Sequence, residues 1–301
     1  MTTKNEKVSK LKATKPELKE EKLKMLVYGD SGVGKTTAAI QFPDAYIFDC
    51  EHGTDAYTKT ILKSNSVVLH TLNPDDIKDE LTLLLTEDHN YKTVIIDPIT
   101  HIYNSLQDKW SRIFGKHAKS EKEADLQDFG MRYWGRVKQD YKAIQRLLLQ
   151  LDMNVIVISH QKDIYGAGFN KIGTGADTMK GEAYVYDFVF QLEKRGQQRV
   201  AIKIKERAEI GENKFPEEFE WSYPAFLKYY GSVLEKKAEP KKMATKDQIA
   251  KIEKLLEIAN IPDETVNKWL TKADADEWGQ FGYDQLQKCI DYVEKLLKEV
   301  R

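Results

Sequence analysis

From residue 24 onward the chain alternates short, almost purely apolar runs with longer amphipathic stretches. The apolar runs are KMLVYG, AYIFDC, SVVLHTL, KTVIID and NVIVISH, followed by the longer AYVYDFVFQLEKRGQQRVAIKIK. Uniformly apolar, Val- and Ile-rich runs predict strands buried on both faces, and separated by helical stretches they predict a mostly parallel sheet covered on each side. The Gly-containing KRGQ within the last run predicts an antiparallel hairpin at the far edge of that sheet. Across 125–151, Phe129, Tyr133, Val137, Tyr141, Ile144 and Leu148 recur at spacings of three and four. That period predicts a helix lying on the sheet, with its aromatic stripe turned to the core.

The texture changes near both ends. Residues 1–22 mix Lys and Glu with almost no large apolar side chains, which predicts a flexible Lys-rich arm. The core is expected over 23–234, and KKAEPKK with its helix-stopping Pro240 reads as part of a charged linker over 235–243. In 244–301 the stretches TKDQIAKIEKLLEIANI and YDQLQKCIDYVEKLLKEV each carry a helical apolar stripe, with Thr245 as a candidate N-cap. The expected fold is therefore α/β, a core with a mostly parallel sheet and an antiparallel edge hairpin, plus a small C-terminal helical domain. That last unit carries no catalytic constellation and reads as a partner-docking module.

Composition narrows the classes. A formal net charge of −1 over 301 residues removes any global electrostatic case for nucleic-acid binding, so such contacts have to come from local basic segments. Two cysteines, Cys50 and Cys289, lie far apart without metal-ligand spacing, and a reducing cytoplasm is the expected compartment. No run approaches the ~20 apolar residues of a membrane span, and the N-terminus has no apolar secretion core.

Directly after the first apolar run comes GDSGVGKTT, Gly29, Asp30, Ser31, Gly32, Val33, Gly34, Lys35, Thr36 and Thr37. It satisfies GxxxxGK[ST] in the strand-loop-helix setting the motif needs. The glycines let successive N–H groups turn inward on phosphate oxygens, and the following helix start adds a favourable dipole. Lys35 is expected at the β/γ-phosphates and Thr36 on Mg²⁺. TVIID supplies the second half, a buried strand ending in Asp97 as the other magnesium ligand. No Asn-Lys-x-Asp element occurs, which favours ATP over GTP.

Hydrolysis needs a group that orients and polarises water. The residue after Asp97 is Pro98, so the position often filled by a Glu there is vacant. AYIFDCEHGTD offers a replacement at a neighbouring strand end, with Glu51 the candidate base and Asp49 the weaker one.

These residues resemble the RecA superfamily, in particular the small phage-type RecA-like ATPases of single-strand annealing and recombination, over roughly residues 24 to 210. In that family the strand after the P-loop helix ends in an Asp-x-Glu-His-like sequence whose Glu activates water, and DCEH at 49–52 is similar to it. VIVISHQ resembles the strand ending in a glutamine that senses the γ-phosphate, which would make Gln161 the sensor. The resemblance implies a flexible Gly-rich DNA loop next, KDIYGAGFNKIGTGADTMKG, where Lys162, Tyr165, Phe169, Lys171 and Lys180 pair phosphate-binding charge with stacking rings. A first DNA loop would lie in DKWSRIFGKHAKSEKEADLQ, with Lys109, Arg112, Lys116 and Lys119. IKIKERAEI resembles the strand end that presents a cationic pair to ATP on the neighbouring subunit, which assigns Lys205 and Arg207 a role in trans. The chain departs from RecA at Pro43, which cuts short the helix after the P-loop, and at His160, which replaces an asparagine.

The resemblance implies a DNA-stimulated ATPase that binds single-stranded DNA and supports annealing or homologous recombination. It implies a ring or filament with ATP between protomers, and the helical unit 244–301 as a dock for a single-strand DNA-binding protein or a replisome component. Two other readings stay open on the residues alone: a nucleotide-gated loading or regulatory ATPase acting on a protein, and a small-molecule kinase whose Gly-rich segment is a substrate lid.

Overall fold

The computed structural model describes residues 21–118, 126–207, 213–273 and 275–299. The first run becomes β1 (Lys24–Gly29), buried along its whole length. It pairs in parallel on both edges, with β5 (Asn154–Tyr165) and with β7 (Phe188–Arg195). Outward from β5 lie β4 (Thr93–Asp97), β2 (Ala45–Asp49) and the edge strand β3 (Val67–His70), all parallel. On the other side β8 (Gln198–Glu206) returns antiparallel on β7, and the short β9 (Glu218–Glu220) pairs with β8. Arg195 faces Gln198 across this hairpin, so Gly196 and Gln197 form the turn, with Gly196 at φ 63°. The α/β class, the parallel sheet and the edge hairpin are thus as the apolar runs predict, while β9 is too short to show in the sequence pattern.

Because side chains alternate along a strand, β1 feeds two cores. Met25 and Val27 join Phe42, Phe188, Phe190, Phe215, Phe226 and Tyr230 on one face. Leu26 and Tyr28 join the other, which is covered by α3 (Pro74–Thr86), α4 (Ile99–Ala118) and α5 (Leu126–Gln150). Val137, Tyr141, Ile144 and Leu148 of α5 are fully buried there, as their spacing requires. The first face is covered instead by the short α1 (Lys35–Ala39), α2 (Thr58–Lys63) and α6 (Tyr223–Tyr230).

Lys24, the first residue of β1, is buried, and its ammonium donates to the carbonyls of Leu148 (3.3 Å), Leu151 (2.7 Å) and Met153 (2.8 Å). It thereby satisfies carbonyls left over where α5 ends and β5 begins. Burial pulls its pKa down to about 7.

Residues 246–299 form α7 (Lys246–Ala259), α8 (Asp263–Ala273) and α9 (Tyr283–Glu299) around a separate cluster of Ile252, Phe281, Leu286, Ile290 and Val293. Thr245 caps α7 through a reciprocal box with Gln248. The charged stretch before it lies along the core: Lys241 N donates to Leu85 O at 2.7 Å, Glu239 N to the Asp152 carboxylate at 3.0 Å, and Ala238 is buried.

Two expectations need correction. The Gly-rich segment after Gln161 is a β-hairpin over most of its length: β5 continues to Tyr165 and pairs antiparallel with β6 (Lys171–Ala176). Backbone pairing extends past the sheet, and on β6 Gly175 lies under the Ile164 side chain of β5, whereas Gly173 faces open space. The segment expected as a first DNA loop is helical to Ala118, since Ile102, Leu106 and Trp110 sustain a helical stripe against α5. Residues 119–125, and the arm at 1–20, lie outside the described residues.

A buried carboxyl on the α5 face gives a pH test of this core. Glu182 accepts from Gln145 Nε2 at 2.6 Å and from Tyr186 OH at 2.9 Å, and burial pushes its pKa to about 7 from the ordinary 4.5, those donors opposing the rise. The native chain therefore holds this proton after the unfolded chain has lost it, and stability falls as pH rises from 4.5 to about 7. The full shift corresponds to about 3 kcal/mol at most. Glu182→Gln is expected to flatten the melting temperature between pH 5 and 8 by several degrees relative to the native chain; an unchanged profile in thermal melts would contradict it.

Candidate nucleotide and magnesium site

The C-terminal ends of β1, β2, β4 and the inner half of β5 meet at one edge of the sheet, where a cleft of about 530 Å³ opens. Gly29, Asp30, Ser31, Gly32, Gly34, Lys35, Thr36 and Thr37 line it, together with Glu51, Asp97 and Gln161. Val33 is the exception within the expected loop, because its side chain is buried in the core cluster behind. Gly34 sits at φ 91°, in the left-handed region that lets the loop turn into α1. Lys35 Nζ donates to the carbonyls of Gly29 and Asp30, each at 2.9 Å, and so folds back across the loop. Burial lowers its pKa, with the charges of Asp97, Glu51 and Asp30 opposing. A cation held only by two carbonyls inside a ring of backbone is what a polyphosphate would engage.

Thr36 Oγ1 donates to Asp97 Oδ2 at 2.6 Å. Two hard oxygens this close, one from the loop and one from the end of β4, fit neighbouring positions around Mg²⁺, directly or through water. Asp97 is buried, and its pKa rises to about 6; burial is the main cause, the Thr36 hydrogen bond opposes it, and the Glu51 charge adds to it. A cation supplied at this point would reverse that rise.

Glu51 and Asp49 part company. The Asp49 carboxylate is buried and accepts from the backbone N–H of Glu51, Gly53 and Thr54 and from the Thr54 hydroxyl, at 2.5 to 3.1 Å. It shapes the turn after β2, and these donors hold its pKa low against its burial. That turn aims Glu51 into the cleft, where Glu51 Oε2 lies 3.1 Å from His101 Nε2 and 3.4 Å from His160 Nε2. Glu51 is thus half-exposed beside Lys35 and Asp97, a place from which a carboxylate can activate water. The same three side chains bring one donor atom each within 4.8 Å of one another, a mixed N/O set suited to a transition cation rather than to Mg²⁺.

Gln161 Nε2 donates to Asp30 Oδ1 at 3.1 Å, tying β5 to the P-loop. Gln191 Nε2 reaches Gln161 Oε1 at 3.4 Å and Thr174 Oγ1 at 3.2 Å, so a chain of amides connects the P-loop to β6. On the hairpin, Tyr165 and Ile172 are 57% and 69% exposed. Lys162 pairs with Asp177 at 3.3 Å and Lys171 with Asp163 at 2.7 Å, while Lys180 is exposed beyond β6. Arg112 is on α4, its Nε donating to Asp108 O, and Lys109 is held by Asp75. The side chains of Phe169 and Lys116, and Lys119 altogether, lie outside the described residues.

Lys205 and Arg207 stand elsewhere. β8 runs antiparallel, so its end lies beside the start of β7, at the sheet edge opposite the P-loop. Lys205 Nζ donates to the carbonyls of Ala183, Tyr184 and Tyr186, and Arg207 pairs with Asp187 at 3.0 Å. Neither belongs to this chain's own cleft.

Three cleft features escaped the sequence. Tyr57 and Arg199 line the cleft, and Trp221 Nε1 donates to Gly34 O (3.1 Å) and Lys35 O (3.3 Å). Arg199 opens β8, and only the hairpin turn at Gly196 places the first residues of that strand beside the P-loop. Hydrophobic patterning gives no sign of this; the one sequence clue is that the turn KRGQ follows directly on the strand next to β1.

Residues 21–207 match the family described as "AAA domain". No curated protein matches the chain. Among solved structures, one titled "Crystal structure of the RadB recombinase" aligns over 65% of this chain and 86% of its own at 18% identity and a TM-score of 0.37.

The raised Asp97 pKa gives a test of the magnesium assignment. Above about pH 6 the buried carboxylate is ionised and costs the nucleotide-free chain stability that a neutral amide would keep. Asp97→Asn is expected to raise the melting temperature of the nucleotide-free chain at pH 8 by a few degrees and to abolish the Mg²⁺-dependent part of nucleotide binding in calorimetric titrations. Native Mg²⁺ dependence in that variant would remove Asp97 from the site.

Proposed function

The chain belongs to the AAA domain family matched over residues 21–207 and is a P-loop ATPase, and from that premise we propose that it couples ATP hydrolysis to binding of single-stranded DNA in annealing or homologous recombination of the phage type. The observation that carries the coupling is the amide chain from Asp30 through Gln161 and Gln191 to Thr174. A γ-phosphate that drew Gln161 away from Asp30 would pull on the root of the β5–β6 hairpin. The nucleotide state thereby becomes a bias on the hairpin's position.

The hairpin is the DNA element in this reading. Lys162, Lys171 and Lys180 supply charge, and Tyr165 supplies an exposed ring for stacking. In the cleft, Lys35 holds the phosphates, Thr36 and Asp97 hold Mg²⁺, and Glu51 orients the attacking water. Lys205 and Arg207 act on a neighbour's ATP in a ring or filament. Their distance from their own cleft supports that role, as do the exposed Tyr184 (82%) and Ile204 (51%) beside them, which offer apolar area to a second protomer. The unit 244–299, with a core of its own, is the dock for a single-strand DNA-binding protein or a replisome component.

One observation favours a second reading. Lys162 and Lys171 are each neutralised by an Asp, and Ile164, Tyr165 and Ile172 make the hairpin tip apolar. Such a tip suits a protein partner whose loading or release ATP would gate.

ATP turnover with and without single-stranded DNA separates the two. Under the DNA reading, single strands stimulate the native chain severalfold, stimulation declines steeply with salt, and Glu51→Gln lowers turnover by about 10² or more while still binding ATP. Turnover indifferent to DNA would transfer the hairpin to the protein-partner reading.

A further inference from the structure

We propose that Arg199 is a nucleotide-binding residue acting within its own subunit, its guanidinium holding the phosphate chain of the nucleotide that the P-loop cradles. The inference rests on the P-loop reading above and adds a second cation to it.

The placement comes from the sheet. Arg199 faces Lys194 across the β7–β8 hairpin, at the edge where β1 and β7 both end. Its side chain lies directly on Gly34: a Cβ added there would overlap Arg199 Nε and Cδ. Glycine is thus required at 34 twice, once for its left-handed φ and once to admit this arginine. The backbone is held as closely. Arg199 O accepts from Trp221 N at 2.9 Å, and the Trp221 indole donates to Gly34 O and Lys35 O. One tryptophan therefore fixes the strand and the P-loop in a single arrangement.

What the guanidinium lacks is an acceptor. Among the described residues no carboxylate pairs with Arg199, and its Nε is buried without a hydrogen-bond partner. Other arginines of this sheet are neutralised, Arg195 by Glu193 and Glu218 and Arg207 by Asp187. A buried donor left unmade is costly, so an unpaired arginine at the rim of a cleft points to an anion that completes it. The cleft needs the charge as well. Asp30, Glu51 and Asp97 line it against Lys35 alone, a poor host for a polyanion until Arg199 is counted. The planar donor fork of arginine suits phosphate oxygens in a way that a second lysine would not.

The test is calorimetric titration of the full chain with Mg-ADP and with Mg-tripolyphosphate, which has the phosphates and no base. Arg199→Met keeps the apolar stem that packs on Gly34 and removes the charge. It is expected to weaken both ligands by about tenfold or more, with the nucleotide-free melting temperature unchanged or raised and Arg199→Lys in between. Native affinity of Arg199→Met for both ligands would overturn the proposal. Weakened ADP with unaffected tripolyphosphate would place the contact on the base and overturn the phosphate assignment. If Arg199→Met melts early, Arg199→Gln is titrated instead, with the same expected loss. Lys35→Ala is the control for the reading beneath: if the native chain binds neither ligand, or binds both as Lys35→Ala does, the P-loop reading itself fails.

Discussion

β1 is hydrogen-bonded along both edges, to β5 and to β7, and buried on both faces, so its chain can leave the sheet only over the carboxyl edge. That exit is the P-loop. Parallel neighbours end at the same edge by construction, and this brings Asp97 from β4, the turn after β2 and Gln161 on β5 to the loop from distant parts of the chain. The buried Lys24 serves the same end from the other side, because it joins the start of β1 to the passage from α5 into β5. Chemistry at the top edge is therefore positioned by backbone pairing, with loops left only the last few ångströms.

At this edge of the sheet, electrostatics divide the carboxylates by environment rather than by residue type. Asp49 is surrounded by N–H donors and is spent on holding a turn. Asp97 is buried; burial raises its pKa against the single hydroxyl it accepts from, and makes it receptive to a cation. Glu51 is half-exposed between two imidazoles, with its carboxylate free to meet water. Three acids at one sheet edge thus meet three environments, set by desolvation and by the number of donors each can reach.

The sequence exposed those parts of the site that are local. GDSGVGKTT after an apolar run and TVIID before Pro98 carry their meaning in a few adjacent residues, and the structure places both in one cleft. That Glu51 rather than Asp49 reaches the cleft was also legible in part, since two residues of turn carry the chain from the last position of the strand to the solvent. The hairpin after Gln161 was not: glycines read as flexibility, whereas here Gly173 and Gly175 pair in a strand, and that pairing depends on β5 continuing past the sheet edge. The stretch 108–118 was misread for the opposite reason, since its Lys and Arg were weighed as a basic loop while Ile102, Leu106 and Trp110 already carried a buried helical stripe into it. Arg199 was beyond any local reading, because its approach to Gly34 depends on a fold-back that the residue types around it do not encode.

β8 ties these features together. Its first residues lie on the P-loop, and Lys205, next to its last, lies at the opposite edge about 20 Å away at the usual strand rise. Between them Val200, Ala201 and Ile202 are paired on both sides, by β7 and by β9, so the strand is held as a stiff element. In an assembly where the far edge meets a neighbour's nucleotide, the same strand would touch its own phosphates with Arg199 and the neighbour's with Lys205. Over 200–202 a displacement cannot be absorbed by slipping the register, since a one-residue slip would turn Ala201 out of the core, while the pairing is broken at Ile204 on the way to Lys205. Coupling between adjacent sites would then run through this pairing and through the bulge at Ile204, without any segment having to fold or unfold.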